Sequence, residues 1–249
     1  MEEKVKFKNF FNEELTGYWK IGRPGPVILL LHGFCGDKDE KGLFSQCAEH
    51  FSRYGLNTLR FDVSGTGESA GDFKQSSIRK QASDLNSAIN YAKERYPHSP
   101  IGMVGFSLGA TVALYSMNPN IKAYSFWSPA FFPAKDMFPR YDTLDNRVQL
   151  EQKGFINKDG HEVGKELLND LEQFRSEKLL TCLASPVLIV HGTQDPRIPY
   201  ASSVNAAKLL GCEHEVILIQ GANHSYKDNE AHRQKVFEKA ANWFCIHLK

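Results

Sequence analysis

Gly105-Phe106-Ser107-Leu108-Gly109 is the most informative segment of this sequence. Residues 101–104, which precede it, have the composition of a short buried strand, and residues 110–114 after it continue as an apolar helix. A strand that turns sharply into a helix exposes the residue at the turn, and flanking glycines keep side chains from colliding with the nearby backbone. The pattern therefore predicts that Ser107 projects from the turn as a nucleophile.

A serine nucleophile needs a base and an acid that orients the base. In proteins with this kind of turn, the acid and then the base follow the serine along the chain. Asp195 comes directly after the apolar run 187–190, and His224 follows the strand-like segment 215–220. Because the carboxyl ends of parallel strands share one edge of a sheet, we expect Ser107, Asp195 and His224 to meet there. His32 and His191 each precede a glycine, and we expect them to fix loops rather than act as bases.

Backbone donors for a negatively charged oxygen are predicted upstream. The apolar run 26–31 ends in His32-Gly33-Phe34-Cys35-Gly36, whose glycines allow N–H groups to turn toward a ligand. The Phe34 N–H and the N–H of Leu108, the residue after the nucleophile, would together form an oxyanion hole.

The order of these motifs resembles that of the α/β-hydrolase superfamily over nearly the whole chain. Five segments carry the resemblance: His32-Gly33-Phe34, the loop 62–69 (DVSGTGES), the turn 105–109, His191-Gly192-Thr193-Gln194-Asp195 and Gly221-Ala222-Asn223-His224. Within the superfamily the chain is most similar to single-domain esterases of the cinnamoyl esterase and monoacylglycerol lipase type. Those relatives commonly have His before the nucleophile and a second Gly after the turn, where this chain has Phe106 and Ala110.

The alternation of strand and helix patterns also predicts an α/β fold, with a mostly parallel twisted sheet covered by helices on both faces. Two strands near residues 4–9 and 15–21 would form an antiparallel edge. We expect one domain, residues 1–249, with a cap insert at about 130–182 whose second part, 165–180, has helical spacing. Phe131 and Phe132 would either pack this cap segment onto the sheet or line a substrate pocket.

Composition excludes several classes of function. The chain has 249 residues and a formal net charge of +1, so no overall field favours nucleic acid or an anionic membrane. No N-terminal or internal stretch is apolar enough for a signal peptide or an integral membrane segment, and the five cysteines are scattered, which favours the reducing cytoplasm. We expect no metal and no cofactor, since His161-Glu162 lacks the second histidine of a zinc motif.

The residues together predict acyl transfer to water from a small-molecule ester substrate, with Ser107, His224 and Asp195 as nucleophile, base and acid. A peptidase, thioesterase or acyltransferase would use the same groups, because a fold does not determine the substrate. A non-catalytic ligand-binding protein with a hydrolase scaffold is a further alternative. A dehalogenase is disfavoured, because its nucleophile is an aspartate.

Overall fold

The computed structural model describes residues 2–22 and 24–249. Met1 and Arg23, which the predicted domain includes, lie outside the described residues. The strands are β1 (Glu2–Lys8), β2 (Glu14–Lys20), β3 (Val27–Leu31), β4 (Asn57–Phe61), β5 (Ile101–Phe106), β6 (Ile121–Trp127), β7 (Phe155–Lys158), β8 (His161–Gly164), β9 (Val187–Gly192) and β10 (His214–Ile219). The α-helices are α1 (Leu43–Ser52), α2 (Ile78–Arg95), α3 (Leu108–Ser116), α4 (Pro133–Asp136), α5 (Leu144–Lys153), α6 (Lys165–Gln173), α7 (Glu177–Cys182), α8 (Tyr200–Ala207) and α9 (Glu230–His247).

Eight of the strands form one sheet in the order β1-β2-β4-β3-β5-β6-β9-β10. β1 pairs antiparallel with β2, and β2 pairs antiparallel with β4, whereas every later pair is parallel. The predicted antiparallel edge and mostly parallel sheet are therefore confirmed. Since β3, β5, β9 and β10 run in one direction, the loops that follow them lie at the same edge of the sheet.

Both faces of the sheet are buried, as the alternation along β3 shows. Val27, Leu29 and Leu31 belong to one apolar cluster, with α2 and α3, and the intervening residues Ile28 and Leu30 belong to a second cluster, with α1 and α9. Side chains of a strand alternate between faces, so a strand covered on both sides is apolar throughout. This explains why the central strands read as uninterrupted apolar runs.

The cap segment differs in part from its prediction. The helical stretch expected at 165–180 is two helices, α6 and α7, because Phe174 leaves the helix in an extended conformation (ψ 130°). β7 and β8 form a separate hairpin around Asp159-Gly160, which the sequence analysis did not predict although Asp-Gly is a typical hairpin turn. Phe131 is completely buried and meets the ring of Phe126 edge to face at 5.3 Å, so it packs the segment onto the sheet.

No helix within residues 2–22 and 24–249 is both long and apolar enough to cross a membrane.

Candidate active site

Ser107 occupies the sharp turn between β5 and α3. Its backbone has φ 52° and ψ −116°, a region that residues with a Cβ rarely adopt. Two bonds hold the turn in place: the Ser107 N–H donates to the Trp127 carbonyl at 3.0 Å, and the Ser107 carbonyl accepts from the Ala130 N–H at 3.1 Å. Strain of this kind persists only where the surroundings enforce it, and it is concentrated at functional positions.

Close backbone approach explains the glycines on either side of Ser107. A Cβ at Gly105 would lie 2.8 Å from the Cα of Ala110. A Cβ at Gly109 would lie 2.6 Å from the His32 carbonyl oxygen. Both distances are shorter than real Cβ contacts, so a larger residue at Gly105 would push α3 away from β5, and one at Gly109 would push α3 away from the end of β3.

Asp195 follows β9 and is saturated with donors. Its Oδ1 accepts the N–H groups of Arg197 at 2.7 Å and Ile198 at 2.9 Å, and its Oδ2 accepts from His224 Nδ1 at 2.6 Å and His191 Nε2 at 3.0 Å. Burial alone would raise the pKa of this carboxyl, but the hydrogen bonds from the two histidines, the charge of His224 and the Ile198 N–H together lower it. Asp195 is therefore an ionised acceptor at neutral pH.

The contacts of His191 determine its tautomer. Its Nε2 faces two acceptors, Asp195 and the Ile198 carbonyl at 3.0 Å, and must therefore carry the proton. Its Nδ1 then accepts from the Ser203 hydroxyl at 2.7 Å. His191 is completely buried and supports the carboxylate from behind.

His224 lies in the loop after β10, and one of its ring nitrogens is hydrogen-bonded to Asp195. Its Nδ1 faces the acceptor-only Asp195 carboxylate, so Nδ1 carries the proton and Nε2 is unprotonated in the neutral ring. The Ser128 hydroxyl donates to the His224 carbonyl at 2.8 Å, and the ring lies 5.0 Å from that of Phe106 between centroids. Within the described residues, neither His224 Nε2 nor the Ser107 hydroxyl has a hydrogen-bond partner, and both residues line one cavity.

The two predicted oxyanion donors lie beside Ser107. A Cβ at Gly33 would be 3.1 Å from the Ser107 Cβ, so the loop carrying Phe34 lies against Ser107. Leu108 is the first residue of α3, where N–H groups have no acceptor within the helix. In the described part of the chain, neither the Phe34 nor the Leu108 N–H donates to a backbone or side-chain acceptor. Both donors are thus available to a ligand.

Glu40 is a site residue that sequence reasoning missed. Its Oε1 accepts the Gly33 N–H at 2.6 Å and so holds the loop that presents Phe34, and its own carbonyl accepts from Lys227 Nζ at 2.9 Å. Burial raises the pKa of this carboxyl, although the Coulombic effect of His32 and the Gly33 bond oppose the rise. The charged sequence Asp39-Glu40-Lys41 looks like a solvated turn, and no local signal distinguishes it.

His32 and Asp62 brace the same loops. His32 Nδ1 donates to the Gly33 carbonyl at 3.0 Å, and its Nε2 accepts the Val63 N–H at 3.2 Å. Asp62 forms a buried ion pair with Lys38, at 2.9 Å between Oδ2 and Nζ. These contacts show that both side chains support the loops and do not contact Ser107.

A cavity of about 340 Å³ opens over Ser107, between the sheet edge and the cap segment. Its lining is Gly33, Phe34, Glu40, Phe106, Ser107, Met137, Arg140, Tyr141, Asn146, Ile156, Asn157, Lys158, Asp159, Arg197, Ile198 and His224. Neither Phe131 nor Phe132 is among these residues, so the apolar walls come from Phe34, Phe106, Met137, Ile156 and Ile198. The volume is at the lower end of the range for small-molecule sites.

Neither a reactive thiol nor a metal site accompanies this cavity. Burial raises the pKa of the Cys35 thiol to about 12, which keeps it protonated and unreactive at neutral pH. Among residues 2–22 and 24–249, no group of three or more His, Cys, Asp or Glu side chains is arranged to hold a metal ion.

Known proteins are similar to this chain in sequence and in structure. A monoglyceride lipase homolog of Monkeypox virus is 22% identical over 93% of this chain and 94% of its own length. The mitochondrial palmitoyl-protein thioesterase ABHD10 of Homo sapiens is 23% identical over 85% of this chain and 71% of its own length.

Among solved structures, Est1E of Butyrivibrio proteoclasticus with ferulic acid bound superposes with a TM-score of 0.82 at 25% identity, covering 97% of this chain and 99% of that one. These relatives confirm the predicted α/β-hydrolase fold and the resemblance to esterase-type members. The model of the Hydrolase_4 family, serine aminopeptidase, S33, matches residues 22–152, more than half of the chain. The chain therefore belongs to the Hydrolase_4 family of α/β hydrolases.

Proposed function

We propose that the protein is a serine hydrolase that cleaves carboxylic esters of small or medium acyl or aryl groups through an acyl-enzyme. The observation that carries the proposal is the Asp195–His224 hydrogen bond of 2.6 Å, made by a histidine whose other nitrogen shares a cavity with a strained Ser107. An ionised acid that fixes the base tautomer is what such a nucleophile requires.

The proposed reaction has two halves. His224 Nε2 takes the proton of the Ser107 hydroxyl as the oxygen attacks the ester carbonyl, and the Phe34 and Leu108 N–H groups stabilise the oxyanion. The tetrahedral intermediate collapses, His224 gives its proton to the departing alcohol, and Ser107 remains acylated. Water then attacks the acyl group with His224 again as base, and the free acid leaves. No cofactor is needed for any step.

The hydrogen bond between Ser107 and His224 belongs to this proposal and would form or tighten when substrate enters. Catalytic hydrogen bonds are often long in the absence of substrate. The cap segment, about 130–182, would select the substrate, because Met137, Arg140 and Ile156 lie in the cavity wall. We further propose that residues 1–249 act as one domain in the cytoplasm, where the five cysteines, all free in the structure, would stay reduced.

Two alternative activities, those of a thioesterase and of an aminopeptidase, would use the same three side chains. A thioesterase is favoured as the second candidate, because ABHD10 is a palmitoyl-protein thioesterase and a thioester presents the same carbonyl to Ser107. An aminopeptidase would need a free carboxylate for the substrate's amino group. The two carboxylates in the lining are engaged, Asp159 with Lys158 at 3.1 Å and Glu40 with the Gly33 N–H, so the cavity does not favour a cationic substrate.

The test is a comparison of kcat for Ser107→Ala and His224→Ala on p-nitrophenyl butyrate, a butyryl thioester and a butyryl amide. Each variant should lose up to about a millionfold on whichever substrate the wild type turns over. Ser52→Ala and His232→Ala, which change a serine and a histidine outside the cavity, are the matched controls and should keep wild-type rates. Undiminished ester hydrolysis by Ser107→Ala would refute the proposal. Preference for the thioester would favour the second candidate.

A further inference from the structure

The lining of the active-site cavity contains three positively charged side chains, those of Arg140, Lys158 and Arg197, and two carboxyl groups, those of Glu40 and Asp159. Arg140 and Lys158 come from the cap segment, and Arg197 comes from the loop after β9. Lys158 has Asp159 beside it at 3.1 Å, but neither arginine has a carboxylate within 4.0 Å in residues 2–22 and 24–249. Arg140 donates to the Asp136 backbone carbonyl, a neutral acceptor. The Arg197 guanidinium has no hydrogen-bond partner in the same described residues.

Arg140 and Arg197 line the same cavity as Ser107 and His224. The ring of Tyr141 packs against that of Phe34, with 5.2 Å between centroids, and Phe34 supplies one of the proposed oxyanion donors. Burial raises the pKa of the Tyr141 phenol, while the charges of Arg140 and Arg197 both oppose that rise. Tyr141, Arg140 and Arg197 all line the same cavity as Phe34.

Two other arginines show how guanidinium groups pair with carboxylates in this chain. Arg60 contacts Glu2 and Asp39, and Arg147 contacts Asp142 through two nitrogens. The planar guanidinium is suited to carboxylate or phosphate oxygens, which it binds through two parallel hydrogen bonds. Arg140 and Arg197 are both exposed, line the cavity and lack such a partner in the described residues, so their guanidinium groups are available to a ligand.

We propose that the substrate of this enzyme is an ester that carries an anionic group, a carboxylate or a phosphate, and that Arg140 and Arg197 bind that group. The inference rests on the proposed function, since it names the substrate class of the same site. A neutral monoacylglycerol would leave both guanidinium groups without a ligand, and a substrate with a free amino group would be repelled.

The experiment compares substrates that differ in the charge of one substituent. In the leaving group, 4-(butyryloxy)benzoate and 4-(butyryloxy)phenyl phosphate are compared with the neutral 4-(butyryloxy)benzamide, which separates carboxylate from phosphate. In the acyl group, p-nitrophenyl hydrogen adipate is compared with p-nitrophenyl hexanoate. The wild type should prefer the anionic member of at least one set by about tenfold or more in kcat/KM, the effect of one charge-assisted hydrogen bond.

The double variant Arg140→Gln, Arg197→Gln should remove that preference. Arg53→Gln, a change of the same kind at an exposed arginine outside the cavity, should retain it. Added salt should weaken the preference in the wild type, because the charges are accessible to solvent. Equal rates on anionic and neutral esters, or a preference that survives the double substitution, would overturn the inference.

A binding measurement separates this inference from the proposed function. Ser107→Ala is titrated calorimetrically with benzoate, phenyl phosphate and benzamide, which need no turnover. Binding of an anion but not of benzamide, lost when Arg140→Gln and Arg197→Gln are added, would support the anion site even if the wild type hydrolysed no ester. Turnover of neutral esters with no anion binding and no charge preference would refute the anion site and leave the hydrolase proposal standing.

Discussion

Replacing Asp195 by Asn tests whether this carboxylate fixes the tautomer of His224, the proposed base. In the native site Oδ2 accepts from His224 and His191 at 2.6 and 3.0 Å, and Oδ1 accepts from the N–H groups of Arg197 and Ile198 at 2.7 and 2.9 Å. All four partners donate, so both oxygens must be acceptors. An amide has the same shape but replaces one of these acceptors by an NH₂ donor.

The two orientations of that amide have different costs. With NH₂ toward the backbone, two N–H groups lose their acceptor, at about 1–3 kcal/mol each. With NH₂ toward the histidines, His191 keeps the Ile198 carbonyl at 3.0 Å, and His224 adapts by moving its proton from Nδ1 to Nε2. The second orientation loses less, and a protonated Nε2 cannot accept the proton of Ser107.

We therefore expect Asp195→Asn to fold normally and to lose about 10⁴ in kcat, the loss known for this substitution in the chymotrypsin-type triad. That factor corresponds to about 5 kcal/mol in the activation barrier. The assay is kcat on p-nitrophenyl butyrate, with circular dichroism and thermal unfolding to show that the fold is intact. Asp228→Asn is the matched control, because Asp228 lies 3.2 Å from a ring nitrogen of His232 outside the cavity. A folded Asp195→Asn variant with nearly wild-type kcat would refute the reasoning about the tautomer.

Two further predictions concern the loops around the nucleophile. Burial raises the pKa of Glu40 above its ordinary 4.5, so the folded state binds the carboxyl proton more tightly than the unfolded state does. Ionisation of Glu40 therefore destabilises the fold, increasingly as the pH rises from 4.5 through the raised pKa. Glu40→Gln, which keeps an acceptor for the Gly33 N–H, should raise Tm at neutral pH and lose this advantage in acid. A Tm difference between Glu40→Gln and the wild type that is independent of pH would contradict this prediction. Glu40→Ala, which removes the acceptor, should lower kcat. Gly109→Ala should lower the free energy of unfolding by about 1–3 kcal/mol or more, since its Cβ would lie 2.6 Å from the His32 carbonyl oxygen. Gly211→Ala, with 3.6 Å to its nearest atom, should change urea unfolding little, and equal midpoints for the two variants would contradict the prediction.

Features encoded within a short stretch of chain could be predicted from the sequence. The turn at Ser107 is specified by a strand, two glycines and a helix within a few residues, and the structure contains it. Asp195 and His224 each follow an apolar strand of a parallel sheet, so their shared edge follows from chain order and strand direction. The structure joins these two side chains by a hydrogen bond and places Ser107 in the same cavity as His224.

Features that depend on tertiary contacts could not be predicted in the same way. Glu40 belongs to the site only because a tight turn, with φ 45° at Glu40 itself, directs its carboxylate to the Gly33 N–H. Arg140 and Arg197 are far apart in sequence, and only the docking of the cap segment brings them to one cavity. The break at Phe174 could not be predicted either, because the helical spacing of apolar residues in 165–180 continues through it.

Peptide mass spectrometry of the enzyme, quenched during turnover of a p-nitrophenyl ester, would identify the residue that carries the acyl group. We expect the acyl mass on the peptide that contains Ser107, and no such mass when His224→Ala is treated in the same way. Acylation of a different residue, or rapid ester hydrolysis by a protein in which Ser107 is never acylated, would contradict this expectation.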